Sequence, residues 1–126
     1  MKKLLILFLL IFISGCALTP ERISKNPELA LKECNKLEDL NEKTECINTY
    51  AQSVAPVSKE ASIELCTKLE AYSRNKCFFD VSNELEKANK LEDAIEVCKL
   101  IEKEGFSEWC ELRRNKESIS VAPSLI

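Results

Sequence analysis

Ala30-Leu31-Lys32-Glu33-Cys34-Asn35-Lys36-Leu37-Glu38 returns as Ser62-Ile63-Glu64-Leu65-Cys66-Thr67-Lys68-Leu69-Glu70, and again as Ala94-Ile95-Glu96-Val97-Cys98-Lys99-Leu100-Ile101-Glu102. The shared string is small, aliphatic, x, x, Cys, x, x, aliphatic, Glu, and its three cysteines stand 32 residues apart. A fixed period of this length marks a repeat architecture. Aliphatic residues three before and three after the cysteine share one helical face with it, so each of these cysteines is expected to point inward.

A second cysteine follows each first one after 12, 11 and 12 residues, at Cys46, Cys77 and Cys110. An unbroken helix would hold each pair about 16 to 18 Å apart, whereas a disulfide needs Cα atoms about 4.4 to 6.8 Å apart. Pairing therefore requires a turn. Asn41, Ser73, and Gly105 with Ser107 are the residues expected to make it, as caps and terminator. Asn26-Pro27 and Ser58 are expected to open first helices, and Ala55-Pro56-Val57 to separate the first two copies. Val81 to Lys90 holds no breaker, so helix is expected to run nearly unbroken from the second copy into the third. Each copy then reads as an αα-hairpin, and the fold class as all-α: three tandem αα-hairpins, solenoid-like or a small bundle. Six cysteines allow 15 connectivities. The repeat favours Cys34–Cys46, Cys66–Cys77 and Cys98–Cys110, since pairing within a copy is the scheme every copy satisfies identically, with a swapped connectivity next. Each bridge, closing a loop of about a dozen residues, is expected to contribute roughly 2 to 3 kcal/mol.

The N-terminus carries a separate message. Met1-Lys2-Lys3 precedes an apolar run from Leu4 to Ile13, too short for a membrane span and followed by the small pair Ser14-Gly15, the pattern of a cleaved secretory signal. Ile13-Ser14-Gly15-Cys16 resembles a bacterial lipobox. That resemblance implies cleavage before Cys16, diacylglycerol and palmitate-type acyl chains on Cys16, and a permanent membrane anchor. Ala17 stands where aspartate would resemble an inner-membrane retention signal, which implies outer-membrane delivery facing the periplasm in a Gram-negative envelope. The expected organisation is a lipoprotein signal peptide over 1–15, a polar lipid-anchored tether over 16–26 reaching about 20 to 30 Å when extended, the three-hairpin domain over 27–118 and a tail over 119–126.

The chain of 126 residues has no histidine and two glycines, Gly15 and Gly105. Histidine bases, histidine-ligated metals and glycine-rich phosphate loops are thereby excluded. Removing the leader with Lys2 and Lys3 leaves 16 Lys+Arg against 21 Asp+Glu, net −5, which argues against a nucleic-acid partner. No closely spaced cysteine pair supports a redox site or a zinc knuckle. No carboxylate pair is placed in a defined cleft, so no enzyme, cofactor, metal or small-molecule substrate is inferred. Of Tyr50, Tyr72, Phe78, Phe79, Phe106 and Trp109, most are expected in the core, with Trp109 covering the third disulfide. Phe78 and Phe79 cannot both face inward, so Phe79 is the first candidate partner-binding anchor and Trp109 the second. Arg113, Arg114 and Lys116 are read as complementing a helix C-terminus.

The hairpins with one cysteine per helix resemble cysteine-bearing helical-hairpin repeats of uncharacterised prokaryotic envelope proteins and, in period, tetratricopeptide-type solenoids, although the tryptophan, glycine and tyrosine positions of the latter are not filled. Residues 1–52, with the lipobox, Asn26-Pro27-Glu28, Cys34 and Glu45-Cys46-Ile47-Asn48 followed by Ala51, are similar to entry-exclusion lipoproteins of conjugative plasmids, which implies blocking of redundant plasmid transfer. Secretion-system pilotins are similar in size and helical architecture. The function expected is a non-enzymatic, lipid-anchored interaction or scaffold module of the bacterial envelope with an unidentified envelope protein as partner; exclusion and pilotin roles are the alternatives.

Overall fold

A computed structural model describes residues 18–102 and 106–114; Cys16, the leader, Gly105, Lys116 and the 119–126 tail lie outside the described residues. The described chain is all-helical: α1 (Pro20–Lys25), α2 (Glu28–Asn35), α3 (Leu40–Val54), α4 (Lys59–Thr67), α5 (Ala71–Lys87), α6 (Leu91–Cys98) and α7 (Phe106–Arg114). The pairs α2/α3, α4/α5 and α6/α7 are the three hairpins. Each helix packs on the next in chain order, α3 also lies against α5, and α1 lies against α3 and α4.

The three disulfides are Cys34–Cys46, Cys66–Cys77 and Cys98–Cys110, each with Cα atoms 5.5 Å apart. The repeat is reproduced in backbone detail. Each first helix ends at or just after its cysteine, and the residue three further on, Leu37, Leu69 or Ile101, donates its N–H to the cysteine carbonyl at 3.1, 3.1 and 3.2 Å. That tight turn swings Leu69 and Ile101 back into the core, while Leu37 stays half-buried. Toward the helix start, Leu31 is buried as expected, but the buried face of the second and third copies differs from the expected one. The small residue four before the cysteine, Ala30, Ser62 or Ala94, is fully buried, as is the one before the cysteine in Leu65 and Val97. Ile63 and Ile95, expected inward, are half-buried. The small side chain is what allows a neighbouring helix to come close.

The junctions also depart from expectation. Ser58 caps α4 as expected, its hydroxyl accepting from Ala61 N–H at 3.2 Å. Pro27 is the cap of α2 rather than its first residue, and Asp39, not Asn41, caps α3 by accepting from Asn41 N–H at 3.3 Å. Ser73 and Ser107 lie inside their helices. Helix does not continue from the second copy into the third: α5 stops at Lys87, with Asn89 at φ 60°. Lys90 N–H bonds Leu85 C=O at 2.9 Å and Asn89 N–H bonds Glu86 C=O at 3.0 Å, the Schellman closure, in which asparagine takes the left-handed position usually held by glycine. Residues 20–25, expected as part of an extended tether, form α1. Thr19 caps it, Pro20 supplies a preset φ, and Ile23 is fully buried. Burying one isoleucine contributes about 1.5 to 3 kcal/mol, sufficient to hold a helix too short to persist alone.

Candidate functional site

The third hairpin and the flank of α5 form the most distinctive surface. Phe78 and Phe79 are one helical step apart, so Phe78 is buried and Phe79 falls at the edge of the core, half-buried. On α7, Phe106, Trp109 and Arg113 follow the i, i+3, i+7 spacing of one stripe. This stripe lies over Phe79. The Phe79 and Trp109 rings stack with centroids 5.2 Å apart and planes 16° apart, and Phe106 closes the triangle at 5.5 Å to Phe79 and 5.6 Å to Trp109. The Arg113 guanidinium stands 5.9 Å from the Phe79 centroid and 5.6 Å from that of Trp109. Such ring pairs contribute about 0.5 to 1.5 kcal/mol each beyond area burial, and a partly exposed cation over a ring about 0.5 to 1 kcal/mol.

Phe79, the first candidate anchor, is therefore half covered by α7, and Trp109 keeps 45% of its surface exposed while being held by Phe79, Phe106 and Arg113. Of the six aromatics expected mostly in the core, only Phe78 is buried. Tyr72 is 81% exposed, and Leu40 is 67% exposed at the corresponding position, six residues after the first cysteine of its copy. Their register was visible in the sequence, but their outward direction depends on where each second helix begins.

Beneath the aromatic stripe lies a polar node that the sequence reading missed. Arg114 is only 2% exposed. Its Nε donates to Ser82 Oγ at 2.7 Å, and its terminal nitrogens donate to Glu86 and Asn83. Burial draws its pKa below the ordinary guanidinium value, opposed by Glu86, and the group remains a cation at neutral pH. The Ser82 hydroxyl donates in turn to Ala94 C=O at 2.9 Å and lies 3.1 Å from Cys98 Sγ of the third disulfide. Arg114 also stands 5.5 Å from the Phe79 centroid. The node thus fixes α7 on α5 and holds the rings above it in one arrangement.

Among the described residues no group of three or more His, Cys, Asp or Glu is placed to hold a metal ion, and no helix is long and apolar enough to cross a membrane. Compared with known proteins, the chain matches no family model, no curated protein and no solved structure. Chemically, the site offers ring faces with a cationic rim. Phe106 and Trp109 can offer apolar contact, and Arg113 beside them can donate to an acidic or carbonyl acceptor.

Proposed function

We propose that the chain is a lipoprotein of the bacterial envelope, acylated at Cys16 after removal of residues 1–15 and held at the outer membrane facing the periplasm. Its role in this reading is non-enzymatic, the three-hairpin array serving as a rigid scaffold on which an envelope protein docks. The observation that carries the reading is Trp109: a large aromatic nearly half exposed, yet immobilised by a ring stack and a guanidinium. An anchor ordered before contact loses little side-chain entropy on binding, which favours affinity. Nucleic acid and small-molecule substrates have no part in it.

The experiment is photocrosslinking in intact cells with a benzoylphenylalanine at position 109. Reproducible capture of one envelope protein, lost when Arg113→Glu reverses the charge beside the rings, is the expected result. Absence of any captured protein from acylated, correctly localised material would overturn the docking role.

A further inference from the structure

The three bridges share one pattern but not one environment. Cys66, Cys77, Cys98 and Cys110 are all fully buried. In the first bridge Cys34 is fully buried, whereas Cys46 keeps part of its surface in solvent, the only one of the six hairpin cysteines to do so. The aliphatic residue three after each first cysteine divides the copies in the same way, Leu69 and Ile101 being buried and Leu37 half-buried. The turns are also held differently. In the second copy Arg74 pairs with Glu102 at 3.0 Å and Asn75 Oδ1 accepts from Glu102 N–H at 3.3 Å, so this turn is tied to the third copy. In the third, Ser107 Oγ donates to Cys98 C=O at 2.9 Å, and Ser82 Oγ lies 3.1 Å from Cys98 Sγ and 3.8 Å from Cys110 Sγ, with the buried Arg114 behind it. Among the described residues, the side-chain hydrogen bonds and ion pairs of 36–45 stay within the first hairpin: Lys36 to Glu33 at 2.8 Å, Asn41 N–H to Asp39 at 3.3 Å and Thr49 Oγ1 to Glu45 C=O at 2.8 Å. A bridge whose turn is untied and whose outer cysteine meets water is open to attack without global unfolding.

We propose that Cys34–Cys46 is a thiol-exchange site: a dithiol opens this bridge in the folded protein and leaves the other two closed. Attack falls on Cys46, the exposed member. One thiolate of the dithiol bonds to Cys46 Sγ as the bond between Cys34 and Cys46 breaks, and the electron pair leaves on Cys34 Sγ. Cys34 takes up a proton, because burial and the carbonyl end of α2 both disfavour its thiolate. The second thiol of the reagent then attacks the mixed disulfide and releases Cys46. The dithiol ends oxidised to its own disulfide, the bridge ends reduced to two thiols, and the two protons of the dithiol pass to Cys34 and Cys46. A neutral, buried Cys34 is a weak nucleophile, so a monothiol accumulates as an adduct on Cys46. Opening is confined to the first hairpin, since Arg74, Asn75 and Arg114 join the second and third. This is exchange at a structural bridge, distinct from the closely spaced cysteine pair of a redox enzyme, and it holds whether or not Cys16 is acylated.

The test uses the full chain in detergent with Cys16→Ser, which removes the seventh cysteine. The folded protein is treated with dithiothreitol, quenched with acid at intervals, alkylated and mapped by mass spectrometry. Cys34 and Cys46 are expected to label faster than the other four cysteines by on the order of tenfold or more, as local opening outpaces global opening. Equal rates, or earlier labelling of either other pair, would overturn the proposal. With reduced glutathione in place of dithiothreitol the adduct is expected on Cys46, and an adduct on Cys34 would overturn the direction of attack. In concentrated guanidinium the three pairs are expected to label together; a contrast that survived there would trace to local sequence and refute the role of burial. Hydrogen exchange on the chain reduced at the first bridge reads the consequence. Faster exchange over 36–45 with α5 to α7 unchanged is expected, and lost protection in α5 or α7 would show that opening is not confined to the first hairpin.

Discussion

At the first junction of the array Asn48 of α3 donates to Asp80 of α5 at 3.0 Å and leaves its own carbonyl oxygen buried without a partner. At the second, Arg114 of α7 reaches three acceptors on α5, and further ties join hairpins two and three: Lys59 to Asp93 at 3.2 Å and Glu96 at 2.5 Å, and Arg74 to Glu102 at 3.0 Å, while Lys90 reaches the Pro56 C=O, in the connection between hairpins one and two, at 2.7 Å. The same succession of helices is thus held by different means. Hairpins one and two rely chiefly on apolar packing, to which α1 adds Ile23. Hairpins two and three, whose Val81, Leu85, Ala94 and Val97 are also fully buried, add a buried cation and a set of surface ties to their apolar packing. A repeat therefore specifies the geometry of its units without specifying the chemistry between them.

The largest effect expected from breaking this contrast is at Arg114. Arg114→Ala removes the node and is expected to cost about 3 kcal/mol in urea unfolding, as for other partners removed from buried ionic networks; the same change should loosen Trp109 and red-shift its emission. Asn48→Leu is the matching change at the first junction. It deletes the hydrogen bond to Asp80 together with the orphaned oxygen, and a net change of no more than about 1 kcal/mol is expected. Equal losses at the two sites would show that the junctions are alike after all.

A smaller effect is expected at the backbone break. Asn89→Ala places a Cβ without a compensating polar group in the left-handed region and should cost about 1 kcal/mol, while Asn89→Gly should be neutral or slightly stabilising. Thermal denaturation of the pair measures this. The smallest effect is the alkaline one at Lys59, whose pKa is raised by the hydrogen bond to Glu96 and next by that to Asp93. A group with a raised folded-state pKa contributes fully below its unfolded value of 10.5 and loses that contribution as pH climbs through the folded value. Stability should accordingly fall above pH 10.5, and Lys59→Met should flatten that part of the pH profile while leaving the Asn48 junction unaffected.

The legibility of the molecule follows the same division. The hairpins and their pairing were readable from the 32-residue period, since three copies of one string constrain each other and a disulfide admits a narrow range of distances. The α1 helix was not, because a single buried isoleucine in six residues produces no periodic signal. The break at Asn89 was hidden for want of glycine or proline, its left-handed turn being taken by asparagine. Arg114 was read as an ordinary basic residue at a helix end; its burial depends on Ser82, Asn83 and Glu86, some 30 residues earlier. At the candidate site, Phe79 and Trp109 were both singled out from the sequence, but their stacking, and the greater exposure of Trp109, were not foreseen.

Local pattern was therefore enough for the helix periodicity, the presence of a turn within each hairpin and the cysteine pairs that close across it, but not for all the residues that cap the helices or for the break at Asn89. Tertiary structure alone decided the partners of Arg114, the fate of Ile23 and the outward faces of Leu40, Tyr72 and Trp109. Burial is a property of what the rest of the chain brings alongside, and a charged or apolar side chain carries the same letter whether it is covered or not.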